Sequence, residues 1–154
     1  MRLSKNFMSK EFACPCCGGE NISGELTFKL QALRDLVRKP IQILSGYRCE
    51  KYNREIKGYI KSPHIGGLAA DIYVGNFNHK KLAKLAKKVK FERIGLYPFS
   101  HSKFTHVDVQ PPKPNQAWIR WKNGKYVYYG TLKTAFKALL DYEEKTKFEV
   151  TSYP

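Results

Sequence analysis

Ser62-Pro-His-Ile-Gly-Gly-Leu-Ala-Ala-Asp71 is the most informative stretch of this sequence. His64 lies in a glycine-bearing loop just ahead of a strand that apolar alternation predicts over residues 69–74, and Asp71 lies on that strand. An acidic residue on the outward face of a strand is often only solvated. Here the two adjacent glycines let the loop fold back, so the imidazole of His64 and the carboxylate of Asp71 can reach one ion.

A second stretch, Phe104-Thr-His-Val-Asp108, adds another candidate ligand. Strand alternation puts Phe104, His106 and Asp108 on one face, although a histidine on a strand is more often a structural residue. His64, Asp71 and His106 together offer two nitrogens and one oxygen. Catalytic zinc commonly takes three protein ligands and keeps a fourth position for water. Since zinc lowers the pKa of that water to about 7 and polarises a carbonyl oxygen, the set suits hydrolysis of an amide.

The chain has 154 residues, the length of one ordinary domain, and it contains no internal repeat or low-complexity linker. Hydrophobic residues make up 42% of it and aromatic residues 14%, which excludes a disordered chain. No apolar run approaches the roughly 20 residues of a membrane span, and the first residues contain no apolar stretch of signal-peptide length. We therefore expect a soluble protein without a visible secretion signal.

The charge is strongly positive, since 28 Lys and Arg against 13 Asp and Glu give a formal net charge of +15. Such a charge on a small domain predicts a polyanionic partner: nucleic acid, an anionic membrane or an anionic cell-wall polymer. A nucleic-acid binder would use the lysine-rich segment 80–90 and the aromatic residues of 118–129, but this combination has low specificity. It also leaves the two histidines and the aspartate unexplained, so nucleic acid is the least favoured partner.

Helices and strands are mixed without strict alternation along the chain, which predicts the α+β class. Helices are predicted over residues 24–37, 50–57, 78–89 and 131–145, the first of them capped by Ser23. Strands are predicted over residues 41–44, 69–74, 92–97 and 104–109, and a hairpin over residues 118–129 turns at Asn123-Gly124. In the last helix the residues predicted to face the core are Leu132, Phe136, Leu139 and Leu140.

Three of the four cysteines, Cys14, Cys16 and Cys17, lie together, and Cys49 lies apart. A four-cysteine zinc ribbon needs two spaced pairs, and the second pair is missing here. The sequence leaves three possibilities open: a mixed metal site that borrows a histidine, a disulfide between Cys49 and the other three, and free thiols in a reducing compartment.

Five segments, in order along the chain, resemble those of the D-Ala-D-Ala carboxypeptidase family of zinc peptidases, peptidase family M15. They are Glu11-Phe-Ala-Cys-Pro-Cys-Cys-Gly18, Pro40-Ile-Gln-Ile-Leu-Ser-Gly-Tyr-Arg-Cys-Glu-Lys-Tyr-Asn53, the two stretches quoted above, and Arg93-Ile-Gly-Leu-Tyr-Pro98. The resemblance covers residues 3–112 and is closest to the short phage and bacterial members. It implies a Hedgehog/DD-peptidase-like zinc peptidase fold, an antiparallel sheet with flanking helices. Residues 1–114 are then the peptidase-like domain, and residues 115–154 a hairpin and helix packed on it.

The resemblance also implies roles for individual residues. The implied ligands of a Zn²⁺ ion are His64, Asp71 and His106. Arg48, in Ser-Gly-Tyr-Arg48, is implied to contact the substrate and hold developing negative charge, which suits a guanidinium in a cleft. Ser62 and Tyr97 are implied to lie against the substrate. The plainer alternatives are a surface ion pair for Arg48 and a loop-ordering hydroxyl for Ser62.

The sequence departs from the family at the general base. Many members carry an acidic residue three positions before the second histidine ligand, where this chain has Lys103. A lysine accepts a proton there only if its pKa is strongly depressed. Asp108 is the first candidate to replace the base, or else it orients His106 from behind. His101 is the second catalytic candidate, matching a histidine that steadies the tetrahedral intermediate in some relatives; its alternative is an exposed loop residue.

The implied function is hydrolysis of peptide bonds in peptidoglycan stem peptides or cross-links, by a carboxypeptidase or an endopeptidase of the phage endolysin or virion-associated kind. Peptidoglycan peptides are then the main partners, with anionic wall polymers or other virion proteins as further ones. Such an enzyme would lie in the virion, or in the host cytoplasm until its release to the wall. The alternative is a catalytically silent wall-binding or virion structural module, because a fold does not guarantee its chemistry.

Overall fold

The computed structural model describes residues 1–111 and 116–151, with side chains up to residue 147. Its helices are a 3-10 helix at Ser9–Phe12, α1 (Gly24–Val37), α2 (Glu50–Glu55), α3 (His79–Lys88) and α4 (Leu132–Thr151). Its strands are β1 (Gln42–Ser45), β2 (Ala69–Tyr73), β3 (Arg93–Leu96), β4 (Thr105–Asp108), β5 (Ala117–Arg120) and β6 (Tyr126–Tyr129). The predicted boundary between residues 114 and 115 lies outside the described residues.

The strands form one mixed sheet in the order β1-β2-β4-β3-β5-β6, with helices against it, so the α+β class is confirmed. The sheet is not wholly antiparallel, because β3 and β5 pair in parallel while the other neighbours are antiparallel. This follows from connectivity: β4 runs opposite to β3, and the chain then returns on the other side of β3 as β5. The hairpin of residues 117–129 therefore extends the same sheet.

The core forms where α1 and an N-terminal arm, residues 3–12, pack on the sheet. Ser23 caps α1, as predicted, by accepting a hydrogen bond from the Leu26 amide at 3.4 Å. Leu26, Leu30 and Leu33 of α1 are fully buried, and Phe7 and Phe12 of the arm join them. These leucines, spaced four and three residues apart, form the buried face of α1.

The prediction that Leu140 of α4 faces the core is wrong. Leu140 is 50% exposed, whereas Leu139 beside it is buried and Leu132 and Phe136 are partly buried against the core. Consecutive helical residues point about 100° apart, so a helix that buries Leu139 turns Leu140 toward water. Ala135 occupies the inward position instead.

The loop ahead of β2 depends on Gly67, which has a φ of 68°. A Cβ at this position would overlap the carbonyl oxygen of Asn21, and the Gly67 carbonyl accepts the Ser23 amide at 2.9 Å. The loop is thereby anchored to the start of α1. In β2 and β4, Asp71 pairs directly with His106 across the sheet, so register alone brings these two side chains together.

No helix within residues 1–111 and 116–151 is both long enough and apolar enough to span a bilayer.

Candidate metal centre

Three buried side chains, His64, Asp71 and His106, converge where the loop before β2 meets β4. Asp71 Oδ1 lies 2.9 Å from His106 Nδ1 and 3.4 Å from His64 Nε2. The two ring nitrogens are 3.2 Å apart. The structure therefore brings together the three residues that the sequence analysis proposed as metal ligands.

The His64 ring is oriented by a backbone carbonyl. Its Nδ1 lies 2.6 Å from the Gly46 oxygen, and only a protonated Nδ1 can donate to that oxygen. The Nε2 of His64 is then free of hydrogen in the neutral ring and directs its lone pair at Asp71. The Arg48 amide donates to the His64 carbonyl at 3.1 Å, so the segment after β1 holds both the ring and the backbone of His64.

His106 is oriented by Asp108. The carboxylate Oδ2 lies 3.2 Å from His106 Nε2, on the side of the ring away from Asp71. Asp108 is fully buried, accepts the Gln110 amide at 3.0 Å and lies 3.5 Å from Arg93. These contacts fit the orienting role considered for Asp108 rather than the role of base, because the carboxylate lies behind a ligand and does not line the cleft.

Arg48 holds the second oxygen of Asp71. Its Nη2 donates to Asp71 Oδ2 at 2.8 Å, and its Nε donates to Ser45 Oγ at 2.8 Å. The guanidinium is largely buried, which is not the exposed ion pair considered as an alternative. With Oδ2 engaged, Oδ1 is the Asp71 oxygen that faces both histidines.

The electrostatics of the three groups reflect their mutual contact. Burial lowers the pKa of the His64 imidazole below its ordinary value. Burial alone would raise the pKa of Asp71, but the neighbouring His64 and His106 outweigh it and hold that pKa well below its usual range. Burial alone would lower the pKa of His106, but hydrogen bonds to Asp108 and Asp71 raise it to about 9.

A divalent cation fits this donor set. Two imidazole nitrogens and one carboxylate oxygen face one another within 3.4 Å, each fixed by a partner on its far side. Unprotonated nitrogen and oxygen atoms at this separation repel unless a proton or a cation lies between them. Two nitrogens and one oxygen are ligands that zinc accepts, with a fourth position left for water.

The centre lies in a cleft of about 860 Å³. Arg48, Ser62 and Tyr97, the three residues predicted to contact substrate, all line it. Ser62 Oγ also accepts the His64 amide at 3.4 Å, so the loop-ordering role considered for this hydroxyl is present as well.

No sequence pattern predicted one wall of the cleft, which β3, β5 and β6 supply. Its residues are Arg93, Trp118, Arg120, Tyr126 and Tyr128. The Trp118 ring lies 5.1 Å from the His106 ring, and a side chain at Gly95 would overlap that indole. The hairpin signal at Asn123-Gly124 predicted the strands, but no local pattern indicated that β5 would return beside β3.

His101 and Lys103 lie away from the centre. Both line a second groove, together with Tyr73 and His79, and neither lines the cleft. The geometry therefore supports the exposed-loop alternative for His101, which does not line the cleft that holds the three candidate ligands.

All four cysteines carry free thiols in the structure. Cys14, Cys17 and Cys49 lie close together, while no histidine belongs to their group among the described residues. The mixed site with a histidine therefore has no support in the geometry.

Asp108→Asn tests the orienting role. We expect the variant to bind zinc about 10- to 100-fold more weakly, because a buried carboxylate no longer fixes the tautomer and angle of His106. Competition with a chromophoric chelator measures this affinity. Asp35→Asn is the matched control, since Asp35 is an exposed-helix residue that accepts from Gln31. Equal affinities in the two variants would contradict the role.

Residues 5–108 match the family model described as Peptidase M15. Two curated relatives, the peptidoglycan L,D-endopeptidases MepK of Escherichia coli K12 and of Shigella flexneri, are each 32% identical over 91 residues. The match covers 56% of this chain and 48% of each relative, so the chain spans about half the length of those relatives. The solved structure of the L-Ala D-Glu endopeptidase ChiX of Serratia marcescens aligns with a TM-score of 0.46 and 13% identity, over 58% of this chain and 81% of that one.

Proposed function

The chain belongs to the peptidase M15 family, and on that premise we propose that it is a zinc-dependent hydrolase of peptide bonds in peptidoglycan stem peptides or cross-links. The observation that carries the proposal is the donor set of His64, Asp71 and His106, buried at the base of an open cleft. The names of the MepK relatives, peptidoglycan endopeptidases, support the choice of substrate.

The three ligands would hold the ion, and a bound zinc would supply an activated water and polarise the scissile carbonyl. The remaining residues hold the ligands in place. The Gly46 carbonyl fixes the tautomer of His64, Asp108 fixes that of His106, and Arg48 holds the second oxygen of Asp71. A centre fixed in this way needs little reorganisation when substrate binds.

The charge of the cleft favours an anionic substrate. Arg48, Lys57, Arg93 and Arg120 line it, and Asp71 is the only carboxylate among its described lining residues. Stem peptides carry free carboxylates, and a cleft of one sign concentrates ligands of the other. The positive charge of the cleft therefore supports an anionic peptide of the cell wall as the substrate, in preference to a neutral peptide.

Tyr97 is suited to stabilise an oxyanion. Burial raises the pKa of its hydroxyl, which therefore stays protonated and can donate a hydrogen bond. Its ring stacks on Phe104 at 4.2 Å, and the Trp118 indole donates to its oxygen at 3.4 Å. The hydroxyl is thus held at the cleft surface by two aromatic neighbours.

Tyr97→Phe is expected to lower kcat by about 100-fold and to leave KM nearly unchanged, because it removes a donor to charge that develops in the transition state. Steady-state kinetics on purified muropeptides measure both constants. Tyr142→Phe is the control, since Tyr142 packs against Phe99 and Trp121 outside the cleft. A fall confined to KM would assign Tyr97 to ground-state binding instead.

Digestion of purified sacculi tests the proposed function. The zinc-loaded protein should release new amino groups, a chelator should stop the release, and added zinc should restore it. Mass analysis of the fragments identifies the bond: free D-alanine indicates a carboxypeptidase, and shortened or uncrosslinked stem peptides indicate an endopeptidase. Release that persists in Asp71→Asn would refute the proposed centre.

A second candidate is a catalytically silent wall-binding module. It is favoured by the cleft itself, in which no described residue other than the ligand Asp71 is a carboxylate that could accept a proton. Zinc-loaded protein that sediments with sacculi but releases no amino group would support this candidate over the hydrolase.

The phage lysis or virion setting remains a proposal that rests on the sequence resemblance. A turbidity assay tests this setting. Zinc-loaded purified protein, added to a suspension of cells whose outer envelope has been permeabilised, should lyse the cells and reduce the turbidity of the suspension. Asp71→Asn, which lacks a ligand, should leave the cells intact.

A further inference from the structure

Three thiols converge outside the cleft, at a place that the proposed function does not use. We propose that Cys14, Cys17 and Cys49 form a second, structural zinc site, separate from the cleft. Their sulfur atoms all lie within 4.8 Å of one another. In a tetrahedral site with Zn–S bonds of about 2.3 Å, sulfurs lie roughly 3.8 Å apart. The thiols therefore need to close by about 1 Å at most to bind one ion.

The backbone around Cys14 and Cys17 is folded as a tight metal-binding turn requires. The Gly18 amide donates to the Cys14 carbonyl at 2.8 Å, and the Cys14 amide donates to the Gly19 carbonyl at 2.9 Å. Gly18 has a φ of 68°, a conformation that glycine adopts without strain. This turn directs the sulfurs of Cys14 and Cys17 to the same side.

Backbone amides also donate to the sulfurs. The Cys49 amide donates to Cys14 Sγ at 3.4 Å, and the Tyr52 amide at the start of α2 donates to Cys49 Sγ at 3.4 Å. These hydrogen bonds fix the positions of two of the three sulfurs, and the thiolate is the form in which a cysteine binds metal. Thiolates are soft ligands that zinc accepts readily.

Three convergent sulfurs distinguish a metal site from a disulfide. A disulfide joins two cysteines and leaves the third without a partner, whereas a structural zinc site uses three or four sulfur or nitrogen ligands. The fourth position is left to water, because the exposed Cys16 does not belong to this group of three thiols. A four-cysteine zinc ribbon would take its remaining ligands from a second spaced pair of cysteines. Here Cys49, which the fold brings close to Cys14 and Cys17, supplies the third sulfur.

The proposed site would stabilise the segment that holds the cleft. The Tyr47 amide donates to the Phe12 carbonyl at 2.8 Å, so this segment already contacts the N-terminal arm. Gly46 orients His64, Arg48 holds Asp71, and Cys49 follows directly. An ion between Cys49 and the turn would fix both ends of this contact. The inference does not depend on peptidase activity, since a silent module with this fold would bind the same ion.

Cobalt substitution tests the proposal. Protein purified under reducing conditions is stripped, loaded with Co²⁺ and compared with Cys17→Ser, Cys16→Ser and Asp71→Asn. Cobalt bound to thiolates gives an intense near-ultraviolet charge-transfer absorption that imidazole and carboxylate ligands do not give. Cys17 is exposed, so its substitution leaves the core intact; Cys49→Ser is a second variant, and circular dichroism checks the fold of each.

We expect wild type to bind about two ions per chain and to show the thiolate absorption. Cys17→Ser and Cys49→Ser should lose the absorption and one ion, while Cys16→Ser, the matched control, should keep both. Asp71→Asn should lose one ion and keep the absorption, so failure of the cleft centre is distinguishable from failure of this site. Absence of the absorption in reduced, cobalt-loaded wild type would overturn the proposal.

Discussion

Asp71→Asn is expected to abolish zinc binding in the cleft and to reduce peptide-bond hydrolysis at least about 1,000-fold. Asparagine has nearly the same shape but no charge, so the donor set would keep its packing and lose its only anionic ligand. The carboxylate is also the partner of Arg48 at 2.8 Å, and its loss leaves a largely buried guanidinium without a counterion. Metal content by mass spectrometry and amine release from sacculi measure the two effects.

The control for this experiment is Asp35→Asn, the same chemical change on α1 at a carboxylate that lies outside the cleft. It should retain wild-type zinc and wild-type activity. Thermal unfolding of both variants shows whether Asp71→Asn remains folded. A folded Asp71→Asn protein with full zinc content would contradict the assignment of Asp71 as a ligand.

Gly67→Ala is expected to lower the free energy of unfolding by about 3 kcal/mol or more. The left-handed backbone conformation alone costs a residue with a Cβ about 1 kcal/mol. The Cβ would in addition overlap the Asn21 carbonyl, which is backbone and cannot rotate away. Relief of that overlap would move the loop that carries His64, so we expect zinc affinity to fall together with stability.

Gly124→Ala separates the two contributions. Gly124 has a φ of 82° but no atom within 4 Å of the position that its Cβ would occupy, so only the conformational cost applies. Urea unfolding should find a loss of about 1 kcal/mol for Gly124→Ala and a clearly larger loss for Gly67→Ala. Equal losses would indicate that the contact with Asn21 has little effect on stability.

Local sequence patterns predicted correctly those features that depend on residues close together in the chain, such as helix bounds and the faces of strands. Apolar spacing and the Ser23 cap predicted α1 at its observed bounds, because helix formation and capping are local. Alternation put His106 and Asp108 on one face of β4, and both are buried there in contact with each other. The same reasoning did not identify Leu140 as exposed, because the width of the buried face depends on what packs against α4.

Residue types and local patterns were enough to identify the candidate donors, two histidines and an aspartate, and the strands and loop that carry them. The positions of Asp108 behind His106, of Arg48 against Asp71 and of His101 in another groove became evident only in the folded chain. The pairing of β5 with β3, which places Trp118 on the cleft wall, was likewise not predictable from the sequence. The physical reason is that side-chain periodicity specifies which face a residue occupies, whereas contacts between distant segments are selected by the packing of the whole core.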